Sequence, residues 1–205
     1  MFKNFLHHKN HVDIFWTWFE KNSSSYTDFE VDQENLFDIL NQKLNKIDEN
    51  LTFEFSPKFD DGDRELIISA DGIQSSFPSV LKLVKSAPQI PNWRIVAFRQ
   101  PHLEYTRINY KNLELNFSDV FFRYSIEGAK VGIELNIRNF KDDNDYITAS
   151  YLLLDNVLGE YDTETYLSWI ERKLLDENQI DTLYPIEELP NIVNEIKILE
   201  QKNGL

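Results

Sequence analysis

The side chains of this sequence that could do chemistry are carboxylates and guanidiniums placed where strands begin and end. Glu65 and Asp71 bracket one apolar run, Arg94 and Arg99 bracket another, and Arg123 lies inside a third. Carboxylates that converge on arginines can do acid–base work once a pocket perturbs them, or can hold an anionic group by bidentate hydrogen bonding. Arg94, Arg99, Arg123, Glu65 and Asp71 are therefore the candidate ligand-binding residues. Ordinary Arg–carboxylate pairing within the fold accounts for them equally, so no catalytic residue is assigned. His7, His8 and His11 form a small N-terminal cluster, but only His102 stands elsewhere and any metal would lean on carboxylates, so no metal or cofactor is expected. The turn Asp60-Asp-Gly-Asp lacks the twelve-residue spacing and closing Glu of a calcium loop.

Other chemistries are excluded outright. With no Cys there is no disulfide, thiol nucleophile, iron–sulfur cluster or Cys-ligated zinc. Six Gly in 205 residues leave no phosphate-cradling loop and no dinucleotide fingerprint, and neither a His-Glu-x-x-His motif nor a nucleophile elbow is present. The formal charge of −14 opposes nucleic acid and anionic membrane surfaces as general partners, because phosphate binding runs on Lys and Arg. The charge is also segregated. From Gln74 to Asn112 six basic residues face one acid, Glu104, whereas from Asp155 to Glu200 twelve acids face Arg172, Lys173 and Lys197. Either the two segments pair inside the fold or they form separate surfaces. In the second case Glu187 and Glu188 are interaction candidates for a protein with a basic surface. Phe15-Trp-Thr-Trp-Phe19 holds more aromatic surface than one face can bury, which makes Trp16 and Trp18 candidate anchors unless the segment clamps across the sheet.

The elements that must position these residues can be read from hydrophobic period. Leu36, Phe37, Leu40, Leu44 and Ile47 are spaced as a helix with Asp32 at its cap. Leu51, Phe53 and Phe55 alternate as a strand, and the Asp60–Asp63 turn returns the chain into a second strand over Glu65–Ala70. Ser76 is placed to cap a helix with Phe77, Val80, Leu81, Val84 and Ala87 on one face, and a strand over Arg94–Phe98 closes the set. The same order follows again. Val120–Ile126 and Val131–Ile137 form a hairpin, and Asp142–Leu158 is apolar nearly all round and reads as a buried helix. Thr163–Lys173 fits a strand or a helix and is taken as a strand. Ile186–Gln201 reads as a closing helix, with a further strand near Leu113–Phe117. The expectation is a single α+β domain: two hairpin–helix–strand units, a ββαβ repeat over about 51–99 and 119–173, forming a largely antiparallel sheet covered by helices, with an N-terminal and a C-terminal helix.

The run Arg64-Glu-Leu-Ile-Ile-Ser-Ala-Asp-Gly72, with Phe77-Pro78, Ala87-Pro88, Pro91-Asn-Trp93 and Ala97-Phe98-Arg99, resembles a family of small uncharacterised bacterial proteins. Leu152-Leu-Leu-Asp-Asn-Val-Leu-Gly-Glu160 and the Pro185–Pro190 segment share the resemblance, which implies no activity, cofactor or catalytic residue. The first residues hold no apolar stretch of secretory length and no run approaches the roughly 20 residues of a membrane span, so a cytoplasmic chain is expected. Its expected role is a non-enzymatic binding or regulatory protein with an acidic surface. The alternatives are an anionic-ligand binder or enzyme using a cleft between the two repeated units, and a homodimer built on a sheet edge.

Overall fold

The computed structural model describes residues 10–203, which fall into two compact units that meet at the Phe98–Arg99 bond. The fold is α+β, and its strand pairing is mostly antiparallel. Among the described residues no helix is long and apolar enough to cross a membrane.

The first unit begins with α1 (His11–Thr27), whose Asn10 caps it by accepting from the Asp13 amide. A short 3₁₀ turn leads into α2 (Gln33–Leu44). The chain then forms β1 (Thr52–Phe55), β2 (Arg64–Ser69), α3 (Phe77–Lys85) and β3 (Trp93–Ala97). β1 and β2 are antiparallel, while β3 returns parallel to β2 because a helix carries the chain back along the sheet. Asp32 and Ser76 stand at the N-cap positions but neither caps. The Asp32 carboxylate accepts from the Asn35 side-chain Nδ2, and the Ser76 hydroxyl donates to Asp48, whose carboxyl is held below its usual range chiefly by Ser79.

The second unit opens with a small hairpin, β4 (Arg107–Tyr110) and β5 (Leu113–Asn116); β4 had no clear signal in the sequence. β6 (Val120–Glu127) and β7 (Lys130–Ile137) make the long hairpin, followed by α4 (Asn144–Leu158), α5 (Glu160–Tyr166) and β8 (Leu167–Leu174). The two-residue β9 (Tyr184–Pro185) and α6 (Leu189–Asn203) complete it. The sheet order is β8-β7-β6-β9, with β8 parallel to β7. The three sheets are separate rather than one continuous sheet.

Two expectations are corrected here. α4 is not buried all round: Ala149, Leu153, Leu154, Val157 and Leu158 pack inward, but Tyr151 and Leu152 remain exposed, because the helix covers only one face of the sheet. The stretch 163–173 is helix and then strand. Gly159, at φ 80°, stops α4, Glu160 and Asp162 favour the positive N-terminal end of α5, and the chain turns extended at Leu167.

Candidate functional site

The expected site residues are dispersed into separate partnerships. In the first unit the Arg94 guanidinium binds Asp61 and Asp63 of the β1–β2 turn and lies 4.6 Å from the centre of the Phe59 ring. Its register neighbour Glu65 is not its ion partner. Asp71 takes a left-handed backbone (φ 46°) just past β2, where its amide donates to Ser69 Oγ at 3.0 Å. Trp16 is buried rather than an exposed anchor. It packs edge-on against Phe15 and Phe19, and its indole N–H donates to the Leu83 carbonyl at 2.9 Å. Trp18 is half-buried, with Lys43 5.1 Å from its ring centre. Among the described residues no three metal-ligating side chains converge; His11 is exposed on α1, and His7 and His8 lie outside the described residues.

In the second unit Arg99 fastens the segment before β4 to the α4–α5 break. Its Nε lies 3.1 Å from Asp155 and its Nη2 3.6 Å from Glu160, while the Glu160 amide donates to the Arg99 carbonyl at 2.9 Å. Glu160 is fully buried. Burial pushes the Asp155 carboxyl up to about 6 against the pull of Arg99, with Glu160 and Glu164 adding to the rise. Glu187 and Glu188 are exposed in a 3₁₀ turn between buried Ile186 and Leu189, and Glu188 accepts from the Asn191 side-chain Nδ2 at 2.8 Å. A shallow polar depression of about 440 Å³ lies over the β4–β5 hairpin, lined by Glu104, Tyr105, Thr106, Arg107, Asn109 and Asn116.

Arg123 sits in the arrangement with most chemical content, the face of the β8-β7-β6-β9 sheet turned away from α4 and α6. Alternation sends Val120, Phe122 and Tyr124 of β6 to the core and Phe121, Arg123, Ser125 and Glu127 to the opposite face. On β7 the same rule turns Gly132, Glu134 and Asn136 outward beside them. β8 joins them through an irregularity. Leu167 pairs with Val131, but Trp169 pairs with Gly132, so Ser168 is an extra residue and the side chains beyond it change faces. Without this bulge Trp169 would share the face of buried Leu167; with it, Trp169, Glu171 and Lys173 join the open face.

The Trp169 ring lies over Gly132. A Cβ on Gly132 would come within 2.1 Å of the ring atoms Cε2 and Nε1, so only glycine fits beneath it. The indole N–H reaches across β7 to donate to Glu127 Oε1 at 2.7 Å. Beside it Glu134 accepts from Lys173 and Asn136, and its carboxyl is held below the usual range, first by Lys173. The Arg123 Nη2 donates to Gln179 at 2.7 Å and Thr182 at 3.2 Å, with its Nη1 3.9 Å from Glu134. Arg138 bridges Asp119 and Glu177, which hold its guanidinium above the ordinary range. The face thus carries an indole ring, held by Glu127, among charges paired with one another. The alternation of β6 and β7 is plain in the sequence, but nothing local marks Gly132 as the seat of Trp169, and the β8 bulge hides their pairing. Comparison of the chain with known protein families, with curated proteins and with solved structures finds no match.

Proposed function

We propose that this protein is a non-enzymatic binding or regulatory protein of the cytoplasm that presents an acidic surface to a protein partner with a basic one. The observation that carries this reading is the charge balance of the second unit, with 11 Lys and Arg against 20 Asp and Glu. Most of its cations are engaged within the unit: Arg99, Arg107, Lys111, Arg138, Lys173 and Lys197 all hold carboxylates. No Lys or Arg lies between Lys173 and Lys197. There Asp181, Glu187, Glu188 and Glu195 are exposed and have no ion-pair partner among the described residues. Unneutralised carboxylates raise the local negative potential, which speeds encounter with a cationic protein and repels nucleic acid. The arginines that an anionic ligand would need are tied into structural pairs, which favours this reading over a small-molecule site.

The test is capture of partners on the tagged protein from a lysate of its own organism at low and moderate salt, beside the variant Glu187→Lys/Glu188→Lys. A stoichiometric protein released by salt and lost in the variant, whose folding is unchanged, is the expected result. Marked destabilisation of the variant would instead assign these acids to internal pairing. A co-purifying anionic metabolite without a protein would overturn the proposal.

A further inference from the structure

Four tryptophans occur in the chain, and their surroundings differ in one respect that bears on a partner. Trp16 and Trp93 are buried, and Trp18 carries Lys43 over its ring. Trp169 is 37% exposed, yet among the described residues no Lys or Arg lies over it, although six other aromatic rings are covered in this way. The ring sits over the backbone of Gly132 and its indole N–H is held by Glu127, so its exposed area lies on the side away from the sheet. An indole whose N–H is donated to a carboxylate gains electron density, and a ring face of this kind attracts a cation most strongly. Of the cations on this face, Lys173 is drawn to Glu134 and Glu171, and Lys130 is the register partner of Glu127.

We propose that the outward face of Trp169 is the seat of an arginine or lysine side chain of the basic partner, with Glu127 at the ring edge and Glu171, two residues along β8, as flanking carboxylates. This rests on the binding reading above and names the residue that anchors it. Charge complementarity selects the occupant: a flat ring already fixed in position, flanked by carboxylates, favours a planar guanidinium that can stack and pair at once. Gly132 and the Ser168 bulge then have a function beyond packing, since together they place the ring on the open face of the sheet instead of burying it.

The test uses the full chain and an octa-arginine peptide as probe, followed by calorimetry and by Trp fluorescence at low salt. Trp169→Leu keeps an apolar cover over Gly132 but removes the ring. Its affinity for the peptide is expected to fall roughly threefold to thirtyfold, the range of a partly desolvated cation–ring contact, with unchanged circular dichroism. Glu127→Gln keeps an acceptor for the indole and removes the charge, so a smaller loss is expected; this variant also serves if Trp169→Leu does not fold. Equal affinity in wild type and both variants would overturn this inference while leaving the proposed function in place. No binding of the peptide to the wild type would remove both.

Discussion

At Gly132 a single methyl group would collide with the Trp169 ring, because the ring lies where the Cβ would be. Gly132→Ala is therefore expected to force the ring off the sheet and to cost about 1–3 kcal/mol, as overpacking does, read by urea unfolding and by a change in the near-ultraviolet dichroism of the indole. Unchanged stability and spectrum would mean that the ring is not held there. Asp155 offers a second test. Its folded carboxyl titrates at about 6, above its value in an unfolded chain, so between about pH 4 and pH 6 the folded state holds the extra proton and this group's contribution to stability falls as pH rises. Asp155→Asn should abolish that contribution. The stability difference between variant and wild type is then expected to shift in the variant's favour by on the order of 1–3 kcal/mol from pH 4 to pH 7. A difference independent of pH would sink the assignment. Neither property can be read from the residue alone: glycine in a strand and aspartate in a helix are common, and what distinguishes these two is what other segments bring against them.

Among the elements, α1 shows how a dense aromatic run is resolved. Phe15, Trp16 and Phe19 fall on the buried face of the helix, Trp18 falls to its side, and the Trp16 N–H ties α1 to the last turn of α3 through Leu83. Trp16→Ala should cost about 3–5 kcal/mol, whereas Trp16→Phe, which keeps most of the packing and removes one hydrogen bond to a Leu83 carbonyl that still accepts from the Ser86 amide and hydroxyl, should cost about 0.5–1.5 kcal/mol; thermal or urea unfolding separates them. A Trp16→Phe variant as stable as the wild type would show that the hydrogen bond is incidental, and equal costs for the two variants would show that the packing is. The existence of α2, α3 and α6 and of the β1–β2 and β6–β7 hairpins was legible, since each carries an apolar period that only one geometry can bury, and α4 was legible from its apolar length, the aspartates before it and the Gly159 that ends it. The α5–β8 boundary was not. Tyr166, Trp169 and Ile170 fit a helix, and Leu167, Trp169 and Glu171 a strand, and the decision fell to pairing with β7, which is long-range.

For the whole chain, electrostatics makes the prediction. If the acidic second unit meets a basic partner, the association rate should fall steeply with added salt while the dissociation rate changes little, because long-range attraction acts on encounter. Surface-plasmon measurements across a salt series would check this, and a salt-independent association rate would argue for an apolar interface instead. The charge segregation that suggested two possibilities resolves in part. Arg99 of the basic middle segment does pair with Asp155 and Glu160 of the acidic one, yet Arg94, Arg107 and Lys111 find their carboxylates at Asp61 and Asp63, Glu114, and Asp145.

By itself the sequence determined the α+β class, the order of the principal helices and strands, the exclusion of thiol and phosphate-loop chemistry, and the acidic excess. All of these follow from composition or from periods of two and 3.6 residues, which are local. Tertiary structure alone decided which arginine meets which carboxylate, that Trp16 is buried, and that Trp169 lies over Gly132. Those outcomes depend on strand register, and at Ser168 one extra residue exchanges the two faces of a strand without leaving any mark in its local pattern.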